Sequence, residues 1–282
     1  METIVKVFYP LNLAYFLEKT IVFYALKEEK EDMANMRVIM LCAGIGERLR
    51  PETYKNNKVL VDINGKTLIE HFLDALTQSG ADIHTVHIVI GHYGYKIRKR
   101  LGSTYEGLKL LYHVNPLYAV TGAGHSLYVA KHALNMGSTL VLEGDHYLDP
   151  VLLKTLVDAP YENAVLVDED KTRLKYDEEV LAYGLGNNVE CFLWPPGLTL
   201  PMGELFGEAL TIFKLSKDAS RALSVILEKY LLETGLAKKE IVEPVNRMIG
   251  NYDMGYVPTG NRKWVEIDFQ EDLEYARKLK FN

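Results

Sequence analysis

The residues of this 282-residue chain best placed to do chemistry begin where an apolar run, Arg37 to Ala43, opens directly into Gly44-Ile45-Gly46-Glu47-Arg48-Leu49-Arg50-Pro51. Such a run reads as a β-strand, and a Gly-rich turn after it falls at the carboxyl edge of a parallel sheet, where α/β folds take ligands. Gly44 and Gly46 tolerate positive φ and leave backbone N–H groups bare, so an anionic phosphate chain can lie against them. Arg48 and, seven residues past Pro51, Lys58 flank the loop. An Arg grips phosphate oxygens in a fixed fork and a Lys adds a mobile point charge, the pairing that phosphoryl chemistry wants. A second strand, Thr139 to Glu143, runs into Gly144, Asp145 and His146 and brings a carboxylate to the same edge. Mg²⁺ binds through one or two carboxylates plus substrate phosphates, so Asp145 is a candidate ligand. Far along the chain, Trp264-Val265-Glu266-Ile267-Asp268 offers another. The plain alternatives are a βα turn, solvated surface cations and an N-cap Asp.

Other chemistries are poorly served. A dinucleotide fingerprint needs a third Gly where Leu49 stands, and a P-loop ending at Gly65-Lys66-Thr67 needs one where Leu60 stands. No G-x-S-x-G elbow and no HExxH occur. Two cysteines, Cys42 and Cys191, make neither a disulfide framework nor a four-ligand zinc site. The eight histidines are expected in structural or surface roles. A formal charge of −6 provides no overall positive field, which argues against nucleic acid as the partner.

Those residues need a scaffold, and the chain alternates strand and helix patterns to supply one. Thr67 to Ser79 is amphipathic and opens with Thr67 three residues before Glu70, a capping box. Thr85 to Gly91, Lys109 to Val114 and Thr139 to Glu143 read as strands; Tyr93 to Leu101, His125 to Met136 and Asp149 to Val157 read as helices. This predicts an α/β fold, Rossmann-like, with a mostly parallel sheet flanked by helices. Beyond the strand Asn163 to Asp168 the grammar changes. A hairpin over Val180 to Trp194 and helices at Lys217 to Glu233 and Ile241 to Met248 predict a smaller mixed elaboration. Residues 1–36, rich in Phe, Tyr and Leu and closing on a charged run, read as an N-terminal extension for packing or homodimer contact, ahead of a main domain at 37–282. Its apolar runs fall short of the roughly 20 residues a spanning helix needs, no secretory signal is evident, and a cytoplasmic protein is expected.

The run LCAGIGERLRPETYKNNKVLVDINGKTLIEH, from Leu41 to His71, resembles the signature of nucleoside-triphosphate-dependent nucleotidyltransferases: the sugar-nucleotide pyrophosphorylases and the CTP-dependent cytidylyltransferases. The resemblance extends from residue 37 to about 280. Two departures separate the chain from the sugar branch. No Glu-Lys-Pro follows the strand ending at Asp168, and the base-side loop reads Asn115-Pro116-Leu117-Tyr118 with Ser126-Leu127-Tyr128-x-Ala130. The wording is closest to the cytidylyltransferases of phosphoalcohols, the bacterial phosphocholine type and above all the inositol-1-phosphate type. That resemblance implies a nucleotide-diphospho-sugar transferase fold and transfer of CMP from CTP to a phosphorylated alcohol with release of pyrophosphate. It also implies Arg48 and Lys58 as catalytic cations, and Leu41, Ala43, Gly44, Gly46, Glu47, Thr121 and Ser126 around the nucleotide. Asp145 and Asp268 match the family's Mg²⁺ pair, with Glu266 competing for the second place.

The acceptor side is less clearly marked. Lys171, Arg173 and Lys175 could meet the acceptor phosphate, although the acidic residues around them fit a solvated charge run. Glu204, in Gly203-Glu204-Leu205-Phe206-Gly207, resembles a segment whose Glu faces the acceptor in relatives, and Tyr183 and Trp194 on the hairpin could line the same side. A phosphocholine acceptor would call for several aromatic faces.

Overall fold

Strand β1 (Met36–Cys42) sets the architecture through its alternation. Val38, Met40 and Cys42 face one buried apolar cluster, while Ile39 and Leu41 face another on the opposite side. A strand apolar on both faces belongs in the middle of a sheet covered on both sides. The computed structural model describes residues 35–172, 174, 179–194, 203–235 and 240–281. Residues 1–34 of the expected extension, with Arg173 and Lys175, lie outside them, and β1 opens at Met36, one residue before the expected domain start.

The elements follow in order. After β1 come β2 (Asp62–Ile63), β3 (Lys66–Thr67), α1 (Leu68–Gln78), β4 (Ile83–Ile90), α2 (Gly94–Leu101), β5 (Thr104–Tyr105), β6 (Leu108–Val114) and α3 (Ala123–Val129). Then come β7 (Thr139–Glu143), β8 (His146–Leu148), α4 (Val151–Asp158), β9 (Ala164–Asp168), β10 (Leu181–Leu185) and β11 (Asn188–Leu193). The chain continues with β12 (Glu204–Leu215), α5 (Lys217–Thr234), α6 (Val242–Ile249), β13 (Gly255–Pro258), β14 (Trp264–Glu266) and α7 (Gln270–Lys278). No helix among the described residues is long and apolar enough to cross a membrane.

Ten of these strands form one sheet in the order β10-β11-β13-β9-β12-β7-β1-β4-β6-β5. The β7-β1-β4-β6 portion is parallel, as the alternating grammar predicts. The expected elaboration is continuous with it. The long β12 runs antiparallel to both β7 and β9 and also pairs with the hairpin strand β10, making the sheet mixed. That strand and the C-terminal α7 were not anticipated from the sequence. Pairing of β12 slips between Ala209 and Phe213, where Thr211 has a positive φ of 52°, so it shows no clean two-residue period. The single helix expected over His125 to Met136 is two pieces: α3, then a 3₁₀ turn at Lys131–Asn135, separated by Ala130 at φ −100° and ψ 13°.

Local chemistry accounts for the boundaries. Glu70 accepts from the Thr67 amide at 2.8 Å and from the Thr67 hydroxyl at 2.6 Å, fixing the start of α1. Its buried face, Ile69, Phe72, Leu73 and Leu76, packs into the same cluster as Val38 and Met40. Ser216 caps α5 by accepting from Ala219 N–H at 3.3 Å. A third cluster under β8 and β14 joins Tyr147, Val265 and Ile267 to Leu273 and Ala276 of α7. This cluster fixes the ends of the strands that carry the candidate metal ligands.

Candidate active site

The loop after β1 is held by its neighbours. Gly46 is left-handed at φ 66°, and its carbonyl accepts from the Thr53 hydroxyl at 2.7 Å. A Cβ at Gly46 would lie 3.1 Å from the Thr53 methyl and 3.2 Å from Lys58 Cβ, so both conformation and space call for glycine. The carbonyl of Leu41 accepts from Gly144 N–H at 3.0 Å and that of Ala43 from His92 N–H at 3.0 Å. Gly44 and Glu47 are exposed, and Glu47 pairs with Arg50 at 3.2 Å.

Asn57, missed in the sequence reading, presents Lys58. Its side-chain amide donates to the carbonyls of Cys42 (3.0 Å) and His92 (2.7 Å), and its oxygen accepts from Val59 N–H at 3.0 Å, capping the 3₁₀ turn Lys58–Leu60. It is 1% exposed, and a buried amide with both ends engaged fixes the backbone on either side of it. The signal available in the sequence was an Asn immediately before the lysine, since Asn is a preferred N-cap.

Asp145 and Asp268, 123 positions apart, meet because β8 and β14 pair antiparallel, with Glu266 opposite His146, and because Ile267 N–H donates to the Asp145 carbonyl at 2.9 Å. Lys58 Nζ lies 2.8 Å from Asp145 Oδ2 and 2.8 Å from Asp268 Oδ1, and Arg48 pairs with the other Asp268 oxygen. Arg48 also covers the Phe269 ring, 5.1 Å from its centroid. Burial works against the Lys58 ammonium, but Asp145, Asp268 and Glu266 outweigh it and hold its pKa above the usual lysine range. Burial likewise penalises the Asp145 carboxylate, yet Lys58 and His146 hold its pKa well below the usual range.

Carboxylate oxygens of Asp145, Glu266 and Asp268 lie within 4.8 Å of one another. Asp145 Oδ1 is buried, 3.3 Å from His146 Nδ1 but without a properly aligned donor. An all-oxygen donor set with an unsatisfied buried acceptor suits a hard divalent cation such as Mg²⁺. The residues present therefore fit such an ion, and Glu266 stands with Asp145 and Asp268 in the cluster.

A cavity of about 300 Å³ opens from this cluster. Arg48 and Lys58 line it on one side. Glu143, Glu179, Glu208 and Glu240 also face it, beside Trp194, Thr211 and His146, whose imidazole Asp145 pushes up to about 9 against its burial. Burial, with Asp145 and Glu240 next, pushes Glu143 up to about 8; burial, with Glu179 and Glu266, pushes Glu208 up to about 8. The adjoining hollow shares Glu179, Glu208, Glu266 and Asp268 and adds Phe269, Glu271, Asp272 and Tyr275. Burial is the first cause for both Glu143 and Glu208, so these two carboxyls hold their protons at neutral pH until a cation is brought beside them.

The other expected residues are placed as follows. Thr121 and Ser126 surround the buried Asn115, whose amide donates to their hydroxyls at 3.2 and 3.1 Å, organising the loop between β6 and α3. Lys171 is exposed in a turn, Tyr183 lies within β10 and Glu204 is exposed at the start of β12. None of these three lines the acidic cavity. Glu208 does, four residues along β12 from Glu204 or about 13 Å at the usual strand rise. An acid set in the apolar stretch Leu205 to Ile212 was the signal for it.

A model of the MobA-like NTP transferase domain matches residues 38–250. The chain is 32% identical over 134 residues to a CMP-5′-(3-aminopropyl)phosphonate synthase of Streptomyces rubellomurinus, covering 48% of this chain and 21% of that one. It is 35% identical over 117 residues to a choline-phosphate cytidylyltransferase of Streptococcus pneumoniae, covering 40% and 46%. The chain thus spans less than half the length of these curated relatives. The solved structure of the inositol-1-phosphate CTP transferase from T. maritima superimposes with a TM-score of 0.65 at 16% identity, over 89% of this chain and 99% of that one. The fold is therefore that of nucleotidyltransferases, with the glycine loop, Lys58 and the carboxylate cluster at the carboxyl edge of its parallel strands. With the family model matching most of its length, the chain belongs to the MobA-like NTP transferase domain family.

Proposed function

We propose that the chain transfers CMP from CTP to an acceptor bearing a phosphate or phosphonate, with release of pyrophosphate. The observation that carries this reading is Lys58 set between Asp145 and Asp268 beside the exposed Gly44–Arg48 loop. The chemistry asks little of the protein beyond position and charge. A phosphate monoester has its second pKa near ~6 and is largely dianionic at neutral pH, so it attacks without a general base. An acceptor oxygen forms the new bond to the α-phosphorus of CTP as the bond to the bridging oxygen breaks, and the electron pair leaves with pyrophosphate.

Arg48 and Lys58 turn from their carboxylate partners to the triphosphate, neutralising charge that builds on the leaving group. The N–H groups around Gly44 and Gly46 line its path, and the backbone at Leu41 and Ala43 and the loop carrying Thr121 and Ser126 bound the base. Mg²⁺ held by Asp145, Glu266 and Asp268 would neutralise the phosphates and order them.

For the acceptor, family wording and the T. maritima neighbour support inositol-1-phosphate. A second reading has its own support in the acidic lining, which favours an acceptor whose far end is cationic. A quaternary ammonium or amine would be met by Glu208 and Glu179 and by the Trp194 face. The names of the two relatives given above describe acceptors of that kind. Pyrophosphate release with Mg²⁺ tests both readings, crossing CTP, UTP, ATP and dTTP against inositol-1-phosphate, phosphocholine, 3-aminopropylphosphonate and glucose-1-phosphate. Turnover confined to CTP supports the cytidylyl reading, and the preferred acceptor decides between polyol and cation. Turnover only with glucose-1-phosphate and UTP or dTTP overturns it in favour of a sugar enzyme.

A further inference from the structure

Three of the eight histidines, expected in unrelated structural or surface roles, converge on one face of the sheet away from the acidic cavity. On β4 and β6 the parallel register pairs His87 with Leu111 and Val89 with His113. His87 and His113 are therefore diagonal neighbours on the same face. The 3₁₀ turn Lys131–Asn135, anchored by buried Ala133 and Leu134, lays His132 over them. The rings of His87 and His113 stack at 5.1 Å, and His132 meets their edges at 5.8 and 5.0 Å. One ring nitrogen from each of the three lies within 4.8 Å of the others.

We propose that His87, His113 and His132 form a binding site for a borderline transition-metal ion, Zn²⁺ or its Ni²⁺ and Cu²⁺ neighbours. The geometry supports it. The Nδ1 of His87 and the Nε2 of His113 are 2.9 Å apart. Tetrahedral Zn–N bonds of about 2.0–2.1 Å place ligand nitrogens roughly 3.3 Å apart, so this pair opens by a few tenths of an ångström and His132 closes on it. His87 is 1% exposed, and its other ring nitrogen, Nε2, is buried without a hydrogen-bond partner. The 2.9 Å contact is a hydrogen bond between two neutral rings, so an ion bound there takes the place of the shared proton.

Imidazole binds a metal ion through its neutral form, one ring nitrogen offering its lone pair. The donor set is neutral, and Arg37 and Lys109 add positive charge around His87. Hard ions drawn by charge, Mg²⁺ and Ca²⁺, are disfavoured, while ions that gain from imidazole coordination are selected. His132 is the most open of the three and leaves room for entry and for a water as fourth ligand. A bound ion would tie β4 and β6 to the turn that follows the base-side loop and α3.

The test uses the full chain, stripped with chelator and titrated with Zn²⁺ in excess Mg²⁺ to keep the carboxylate cluster occupied. Metal content after gel filtration and thermal midpoint are read for the wild type, His132→Ala, His113→Asn and Asp268→Asn. Because His132 sits on a partly open turn, His132→Ala is expected to keep its fold, which its thermal midpoint without Zn²⁺ checks. The wild type and Asp268→Asn are expected to retain one Zn²⁺ and to melt higher with it. Both histidine variants are expected to lose at least tenfold in Zn²⁺ affinity and to lose the thermal shift. Co²⁺ in place of Zn²⁺ should give tetrahedral visible absorption in the wild type and not in His132→Ala. Failure of the wild type to hold Zn²⁺ at micromolar concentration would overturn the proposal. So would equal retention by His132→Ala, or loss of the ion in Asp268→Asn.

Discussion

Lys58 neutralises two carboxylates that would otherwise repel each other, and in the proposed reaction it must leave them for the triphosphate. Lys58→Ala is therefore expected to lose about a hundredfold in kcat, the equivalent of about 3 kcal/mol of lost charge stabilisation. It also frees Asp145 and Asp268. Millimolar Mg²⁺ should raise the thermal midpoint of Lys58→Ala more than that of the wild type, because the ion no longer competes with an ammonium. Differential scanning fluorimetry with and without Mg²⁺ checks this, and equal shifts would place the ion elsewhere. On the acceptor side, Glu208→Gln separates the two readings. Measured above about pH 8, where the carboxyl ionises, the KM of a cationic acceptor should rise about tenfold or more while KM for CTP holds, whereas with a polyol acceptor both should change little.

Elements hold these residues through local devices whose loss has a size. Asn57→Ala removes three hydrogen bonds around Lys58 and leaves the carbonyls of Cys42 and His92 without that donor. A loss of about 2–4 kcal/mol is expected, with a fall in kcat beyond what the lower midpoint explains; urea unfolding beside single-turnover kinetics measures both. At the start of α1, burial opposes the Glu70 carboxylate, but Arg100 and Thr67 hold its pKa down at about 2. Because the folded value lies below the unfolded one, this stabilisation is present above about pH 4.5 and is lost as pH falls towards 2. Glu70→Gln should cost about 1–2 kcal/mol at neutral pH, the worth of a capping box plus a largely solvated ion pair. The gap from the wild type should shrink across that window, as chemical denaturation at stepped pH would reveal. A gap constant down to pH 2 would mean that the carboxylate charge contributes nothing.

Across the whole molecule, what the sequence made legible was local. The strand running into Gly44, the Thr67–Glu70 box and the parallel core strands announce themselves within a dozen residues, and Arg48, Lys58 and Asp145 come with them. What was hidden is tertiary. Asp268 and Glu266 join Asp145 only through the β8–β14 pairing, which no spacing encodes. The long β12 was masked by its irregular register near Thr211, and with it Glu208. The histidine cluster depends on a break at Ala130 that turns His132 onto the sheet, where a continuous helix was expected. The central claim is that nucleotidyl transfer takes place at the meeting point of these two kinds of feature. The most direct test is pyrophosphate release from CTP with Mg²⁺ and the preferred acceptor, comparing wild type with Asp268→Asn at matched thermal midpoint. The account predicts turnover in the wild type and a loss of about a hundredfold or more in the variant. Equal rates in the two proteins, or no release from folded wild type with any acceptor in the panel, would contradict it.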